Sequence, residues 1–400
     1  MRRQVPKPLT GTVTTTPAPP GPIALSARAL APDLARGFML LFIALANSHY
    51  FLQGDSVLGG FPQDGYAVDS AVTWLIATFV DGRAFPMFGL LFGYGVAQIV
   101  RRQEDLEPKA VRRLLWRRSL VLVVVGFLHA VLLYVGDILT AYGVLLFLGV
   151  WAVRWKDGWL LGVAAFFLAL GALPNELSLS VSSEPPHISM LPPDVLTALS
   201  ERAVVSPILA LLAPIGFACP FLVGLWAGRR RILEQPERHR QLLQVTAFAG
   251  IGIAALGAQP VSLVLSGVLP APDQGTLEVL GPLHDAAGIL GGFGYAALVA
   301  LVALRLDSRR GLAVDALAAV GQRSMTCYLA QSVVWTVVFT PFLLDLSDDL
   351  TVATTALLAI GTWLATVAMA EWMRRAGQRG PFETLVRRVT YGRPVVSRTS

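Results

Sequence analysis

The residues best suited to chemistry are a histidine and an aspartate within an apolar stretch. His129 lies in the run 121–143 (VLVVVGFLHAVLLYVGDILTAYG), and Asp137 follows eight residues later on about the same helical face. His129 lies eleven residues beyond Arg118, about 16 Å along a helix, which predicts a position near the middle of a bilayer. A neighbouring carboxylate fixes the tautomer of a histidine, so the pair could act as a general base. Alternatively, His129 bonds to a neighbouring helix and Asp137 caps the next one.

Other polar residues of the apolar segments are candidates for substrate binding, because strongly polar groups inside a membrane are costly. Arg36 could bind a phosphate or pair with Asp33, three residues earlier. Arg83 is a rare cation among the segments predicted outside, and it could pair with Asp81 or Asp137 or hold an anionic substrate. The remaining candidates are Asn47, His49, Tyr142 and Gln331. Interfacial water could satisfy Asn47 and His49, whereas Gln331 is expected to face the bundle interior.

The composition indicates which elements position these residues. The 400 residues are 54% hydrophobic and only 14% charged, and the mean hydropathy is +0.60. Because soluble domains carry about 25% charged residues, several water-facing domains are excluded. Global disorder is excluded as well, since disordered chains are poor in apolar residues. The sequence therefore predicts an all-α, polytopic transmembrane helix bundle.

Ten apolar segments approach the length that a membrane-spanning helix needs, about 20 residues. They are 35–52, 84–100, 119–135, 138–153, 159–174, 206–228, 242–268, 285–304, 321–344 and 350–373. The stretch 69–82 is too short to span and is predicted to lie at the interface or to lead into the second helix. Gly89 and Gly93 form a GxxxG pair, which lets helices approach closely.

The charges predict the orientation of this bundle. With ten spans and both termini in the cytoplasm, 30 of the 32 Lys and Arg residues fall in cytoplasmic segments, and only Arg83 and Arg202 fall outside. The net charge of +6 is therefore an orientation signal, and no nucleic-acid partner is expected. Residues 1–28 are predicted to be a disordered basic tail rich in Pro and Thr, 29–392 a single transmembrane domain, and 393–400 a flexible tail.

No motif predicts a metal site or a tightly bound cofactor. Cys219 and Cys327 lie inside apolar runs without metal-ligand spacing. Gly291 to Gly294 superficially resemble a nucleotide loop, but no strand precedes them and they fall inside a predicted membrane helix. The expected partners are the lipid bilayer and a small-molecule or lipid substrate, and the oligomeric state stays open.

Four segments resemble the YeiB-like family of bacterial inner-membrane proteins, a domain of unknown function. They are 33–47 (DLARGFMLLFIALAN), 118–143 (RSLVLVVVGFLHAVLLYVGDILTAYG), 321–332 (GQRSMTCYLAQS) and 380–392 (GPFETLVRRVTYG). The resemblance implies a location in the bacterial cytoplasmic membrane. It also implies that Gly380, Pro381 and Glu383 form a structural motif of the closing segment.

The YeiB-like family is distantly similar to membrane-embedded acyltransferases that use coenzyme A donors. The shared feature is the Asp-x-x-Arg-Gly opening, here Asp33, Arg36 and Gly37. Many such enzymes carry a histidine eleven residues after the arginine, where this chain has Asn47, so His129 or His49 would have to act instead. The resemblance thus implies acyl transfer from a cytosolic acyl-CoA donor to an acceptor at or across the membrane. The residues also allow a transporter or exporter of a small amphiphile, with His129 carrying protons, or a scaffold without chemistry.

Overall fold

The computed structural model describes residues 29–175, 179, 181–182, 186–307 and 310–391. The predicted tails at 1–28 and 393–400 lie outside the described residues. The described chain is nearly all helical and forms thirteen α-helices. They are α1 (Leu30–Ser48), α2 (Ala67–Phe79), α3 (Ala84–Arg102), α4 (Pro108–Leu132), α5 (Ile138–Gly149), α6 (Asp157–Gly171), α7 (Val195–Arg229), α8 (Arg240–Leu265), α9 (Gln274–Leu306), α10 (Leu312–Gln322), α11 (Ser324–Phe339), α12 (Val352–Arg375) and α13 (Pro381–Tyr391).

A small antiparallel sheet is the main non-helical element of the described chain. Its strands are β1 (Val57–Leu58), β2 (Phe61–Pro62) and β3 (Val181–Ser182), in the order β2-β1-β3. The tight reversal between β1 and β2 is made by Gly59 and Gly60, whose φ angles of 56° and 84° lie in the left-handed region that favours glycine.

Seven helical segments of the described chain are long and apolar enough to cross a membrane. They are Leu30–Phe51, Ala67–Arg102 (α2 and α3 together), α4, α7, α8, α9 and α12. Large apolar side chains face outward around them, for example Phe248, Leu256 and Leu357, whose exposed fractions are 88%, 76% and 68%. Such an exterior is typical of a protein that lies in lipid, so the chain is a multi-pass membrane protein.

Several helix bounds differ from the predicted spans. The segments 138–153 and 159–174 form helices of only 12 and 15 residues. The predicted span 321–344 is interrupted at Arg323, where α10 ends and α11 begins, and its helical part is mainly α11. Conversely, α7 begins eleven residues before its predicted span and α9 likewise, so His284 lies inside α9 and does not open it. An aspartate N-cap begins each of these helices, Asp194 for α7 and Asp273 for α9. Because the cap satisfies backbone N–H groups of the first turn, the helix can begin before the apolar stretch.

The arginine-bearing segments gather at one end of the bundle, called here the arginine end. Arg102, Arg231, Arg310 and Arg379, from four connecting segments or helix ends, line one cavity there. The loop before α6 joins them, because Arg229 Nη1 donates to the Trp155 carbonyl at 2.5 Å. Which side of the membrane this end faces stays the prediction made from charge.

Glycines allow close helix crossings around the candidate residues. A side chain at Gly37 would collide with the Leu317 carbonyl, and one at Gly321 with the Asp33 carbonyl, so α1 and α10 cross at backbone contact. A side chain at Gly93 would likewise strike the Phe221 carbonyl of α7. Gly37 of the Asp-x-x-Arg-Gly opening and Gly93 of the GxxxG pair therefore act through packing.

Candidate functional site

A cavity of about 850 Å³ opens among the helix ends at the arginine end. Nine arginines line it, against five carboxylates, so the cavity carries an excess of positive charge. The arginines are Arg36, Arg101, Arg102, Arg118, Arg231, Arg310, Arg323, Arg379 and Arg387, and the carboxylates are Asp33, Glu234, Glu237, Asp307 and Glu383. An excess of cations in a concave site raises the local concentration of anions.

The cavity changes character with depth. Its lining on α3 extends from Arg102 to Phe88, which corresponds to about 21 Å along the helix axis. The deep end is apolar and aromatic, with Met39, Phe88, Leu139, Tyr142 and Tyr328. A cationic mouth followed by an apolar end fits an amphiphile with an anionic head and a hydrocarbon portion.

His129 and Asp137 form a buried hydrogen-bonded pair. His129 Nδ1 donates to Asp137 Oδ1 at 2.8 Å, and the exposed fractions of the two side chains are 2% and 1%. Asp137 Oδ2 accepts from the Thr140 backbone N–H at 2.6 Å and from its hydroxyl at 2.9 Å. With Nδ1 holding the proton, Nε2 is the basic nitrogen, and it is buried without a hydrogen-bond partner among the described residues.

A chain reversal brings this pair together. Helix α4 ends at Leu132 and α5 begins at Ile138, so Asp137 meets His129 across a hairpin and not along one helical face. Asp137 is at the same time the N-cap of α5, so the functional and the structural interpretations describe one arrangement. Gly126 makes it possible, because a side chain there would collide with the Thr140 backbone.

Tyr328 lies between the His129–Asp137 pair and the cavity. Its ring centroid is 5.2 Å from that of His129, and its hydroxyl accepts from the Ile138 N–H at 3.4 Å. Tyr328 is among the lining residues of the cavity and His129 is not. The base is therefore one aromatic ring away from the deep end.

Tyr142 and Arg36 also line the cavity. The Tyr142 hydroxyl donates to the Phe85 carbonyl at 3.0 Å, while its ring stacks on Phe217. Arg36 reaches the Leu91 carbonyl at 3.3 Å and Asp33 at 3.4 Å, so the predicted pair within α1 is present. Backbone carbonyls thus fix the positions from which both residues line the cavity.

Glu383 attaches α13 to the cavity wall. Its Oε1 accepts from the backbone N–H groups of Met325 at 2.8 Å and Thr326 at 3.0 Å, and its Oε2 accepts from the Thr326 hydroxyl at 2.6 Å. These donors belong to the first turn of α11, where backbone N–H groups lack partners within the helix and favour an anion. Gly380 leaves the room this requires, and Pro381 starts α13.

Arg83 lies apart from the cavity lining, fully buried between α3, α8 and α9. Its Nη2 donates to the Ala254 carbonyl at 2.9 Å, and Nη1 lies 2.9 Å from His284 Nε2 and contacts the Asp81 carbonyl. It therefore contacts the backbone of Asp81, not its carboxylate, and it ties three helices together. The structure brings neither Arg83 nor His284 to His129.

The remaining candidates, Asn47, His49 and Gln331, do not line the cavity. His49 is buried and stacks on Phe61 with ring centroids 3.8 Å apart, and neither ring nitrogen has a hydrogen-bond partner. Asn47 is half-buried nearby. Gln331 is buried and donates to the Leu40 carbonyl at 3.3 Å, while its Oε1 has no partner.

Two contributors to the site did not emerge from the sequence. Thr140 supplies two of the three hydrogen bonds to Asp137. The spacing Asp-x-x-Thr before an apolar helix is the available signal, since an N-cap carboxylate accepts from the residue three positions later. The position of Tyr328 between the cavity and His129 has no local signal, because it depends on how α11 packs against α4.

Comparison with known proteins agrees with the resemblance found in the sequence. Residues 227–393 match the family described as a protein of unknown function, DUF418. The chain is 26% identical to the uncharacterized protein YxaH of Bacillus subtilis, over 92% of this chain and 96% of that protein. It is 28% identical to the uncharacterized protein YeiB of Escherichia coli, over 92% and 98%.

A third relative, an uncharacterized 39.9 kDa protein of Bacillus acidopullulyticus, is 35% identical over 30% of this chain and 33% of its own length. These matches confirm the resemblance to the YeiB-like family of unknown function. The three relatives are bacterial, which supports a bacterial membrane as the location. The three names state no activity, so the function has to be argued from the site.

Proposed function

We propose that this YeiB-like membrane protein is an acyltransferase of the bacterial cytoplasmic membrane. In this proposal it moves an acyl group from a cytosolic coenzyme A thioester to a hydroxyl or amine acceptor. The observation that supports it most is the buried His129, whose Nδ1 is bound by Asp137 and whose Nε2 is left without a partner, one ring from the deep end of the cavity.

The pair has the arrangement that a general base requires. Asp137 accepts three hydrogen bonds, which fix its carboxylate beside His129 Nδ1 and orient the imidazole. His129 Nε2 then takes the proton of the acceptor as the acceptor oxygen or nitrogen bonds to the thioester carbon. The carbon–sulfur bond breaks, and the sulfur leaves as the thiol with the proton returned by His129.

The cavity provides the donor route in this proposal. The anionic part of the donor lies among the arginines, and the acyl thioester extends toward Tyr142 and Tyr328. Rotation of the Tyr328 side chain then opens the deep end to His129. With the predicted topology, the arginine end faces the cytosol, where the donor is.

A transporter of a small amphiphile is the second candidate, and a different observation favours it. Gln331 follows Tyr328 by about one turn of α11 and has an unpartnered Oε1, and His49 has two unpartnered nitrogens farther from the arginine end. Polar atoms without partners in a membrane bundle are typical of a substrate pathway. In this alternative His129 carries protons along the same route.

The test of acyl transfer measures thiol release from acetyl-coenzyme A and palmitoyl-coenzyme A. The purified chain is placed in vesicles of phosphatidylethanolamine and phosphatidylglycerol, which offer amine and hydroxyl acceptors. We expect thiol release that falls about 10²-fold to 10⁴-fold in His129→Ala, the usual range for loss of a general base. Asp137→Asn should lower the rate by less, since the histidine remains.

His187→Ala is the matched control, because His187 is exposed and does not line the cavity. Its rate should equal that of the unchanged protein. No thiol release with either donor, or release that His129→Ala leaves unchanged, would overturn the proposal. Flux of an amphiphile driven by a pH gradient, without thiol release, would establish the transporter instead.

A further inference from the structure

Arg118 lines the cavity, and no carboxylate of the described residues pairs with it. Its side chain is half-buried, its Nε is buried without a hydrogen-bond partner among the described residues, and Tyr391 of α13 is its electrostatic neighbour. Arg117, the preceding residue, is exposed and does not line the cavity. Arg118 is therefore the member of the basic α4 segment that faces the cavity.

The carboxylates of the cavity are largely engaged elsewhere. Glu234 pairs with Arg101 at 2.7 Å, and Asp307 pairs with Arg310 at 2.5 Å. Glu383 is bound to the first turn of α11. A partly buried cation that no carboxylate neutralises is costly, and a bound anion removes that cost.

Arg323 is a second arginine in the lining of the same cavity. It is almost fully buried, and its Nη1 and Nη2 donate to the Ala319 and Gln378 carbonyls at 3.2 and 2.5 Å. Those bonds fix the guanidinium plane, while Nε is left without a partner. Arginine presents several donors in a fixed plane, a geometry that suits phosphate oxygens.

The position of Arg118 on α4 also sets a length. Arg118 and His129 are eleven residues apart on one continuous helix, about 16 Å along its axis. The side chains of Arg118 and His129 both tilt toward the start of α4, so their axial spacing stays close to that of their backbone positions. An anion held at Arg118 and a carbonyl attacked beside His129 are therefore offset by about 16 Å along the helix axis.

We propose that Arg118, assisted by Arg323, binds a phosphate group of the acyl donor, and that the donor carries this phosphate at the end of a spacer about 16 Å long. This inference rests on the proposed function for the position of the carbonyl. A coenzyme A thioester has such a spacer in its pantetheine arm. An acyl phosphate, and the ester carbonyl of a phospholipid, lie only a few bonds from their phosphate and are too short.

Binding is tested in the His129→Ala protein, which keeps the cavity arginines but lacks the base. Binding of palmitoyl-coenzyme A is compared with that of palmitate, which has an anionic carboxylate but no phosphate. We expect Arg118→Gln to weaken the binding of palmitoyl-coenzyme A about tenfold or more and the binding of palmitate less than about twofold. The reason is that only palmitoyl-coenzyme A loses a hydrogen bond between its phosphate and a charged side chain. Arg118→Lys should recover part of the binding, and Arg117→Gln should bind like the parent.

The results separate this inference from the proposed function. Equal loss for both ligands, or the same loss in Arg117→Gln, overturns the phosphate site whatever the protein catalyses. Selective loss in Arg118→Gln supports the site even if the protein with His129 intact releases no thiol. Acyl transfer from palmitoyl phosphate or from phosphatidic acid at the rate seen with palmitoyl-coenzyme A would overturn the 16 Å spacing.

Discussion

Replacing Glu383 should loosen the start of α11 without unfolding the bundle. In Glu383→Ala the backbone N–H groups of Met325 and Thr326 lose their common acceptor. Each stranded buried N–H costs about 1–3 kcal/mol. Because Met325 lines the cavity, water reaches this turn and the lower value applies to each. The expected loss is about 2 kcal/mol in the free energy of local opening, or about 30-fold in the open fraction.

Cys327 provides the assay for this opening. It follows Thr326 directly and is fully buried, so a maleimide reaches it only when this turn opens. In a Cys219→Ser background, Glu383→Ala should accelerate Cys327 labelling about 30-fold. Glu383→Gln keeps an acceptor oxygen and loses only the charge at the helix start, so it should accelerate labelling about two- to fivefold.

Two controls decide the interpretation. Leu385→Ala, on an exposed face of α13, should change labelling less than about twofold. Cys219 in α7, measured in a Cys327→Ser background, should react at an unchanged rate. An increase below about threefold in Glu383→Ala would show that Glu383 does not secure α11. Equal acceleration at Cys219 would show general destabilisation and refute the local argument.

Two further predictions concern the helices themselves. Gly321→Ala should destabilise the protein by about 1–3 kcal/mol, because the new methyl group meets the Asp33 carbonyl. Gly361 has open space around it, so Gly361→Ala should instead stabilise the protein by about 0.5–1 kcal/mol. Thermal midpoints in detergent check both variants, and equal midpoints would contradict the close crossing of α1 and α10 at Gly321. Hydrogen bonds from the Thr276 hydroxyl and N–H lower the pKa of the Asp273 N-cap. The stability that this cap contributes is therefore complete above the ordinary aspartate pKa, and it is lost as the pH falls toward the lowered pKa of Asp273. The Asp273→Asn variant should lack this loss when its unfolding is followed through an acid titration.

The sequence was most informative where placing a given residue type in an apolar helix costs much free energy. Ionisable groups are expensive in an apolar helix, so His129 stands out without any structural knowledge. Gly93 was recognisable because close helix contact demands a small residue at that spacing. The eight-residue separation of His129 and Asp137 predicts that they share one helical face, but the pair forms across a hairpin between α4 and α5 that the apolar pattern does not show.

Helix ends were predicted less well because hydropathy reports lipid contact and not hydrogen bonding. Helix α9 begins at Gln274, since the Asp273 cap starts it well before the apolar run. Helix α7 continues through Pro207, Pro214 and Pro220, in agreement with the single span predicted over 206–228.

The cavity could not be predicted, because its arginines come from segments far apart in the chain. Each of them fits the charge rule for cytoplasmic loops equally well. Arg117 and Arg118 are indistinguishable by composition, yet only Arg118 lines the cavity. That difference depends on which face α4 turns toward its neighbours.

The use of α13 as a cavity wall affects how the protein should be produced. Glu383, Val386, Arg387 and Tyr391 of this last described helix line the cavity, although α13 is outside all seven candidate spans. A chain ending near Gly377 would keep every one of those spans and the sequence needed to insert, while the cavity would lose this wall. Abundance in the membrane is therefore no measure of an intact site, and affinity tags or fluorescent fusions belong at the amino terminus.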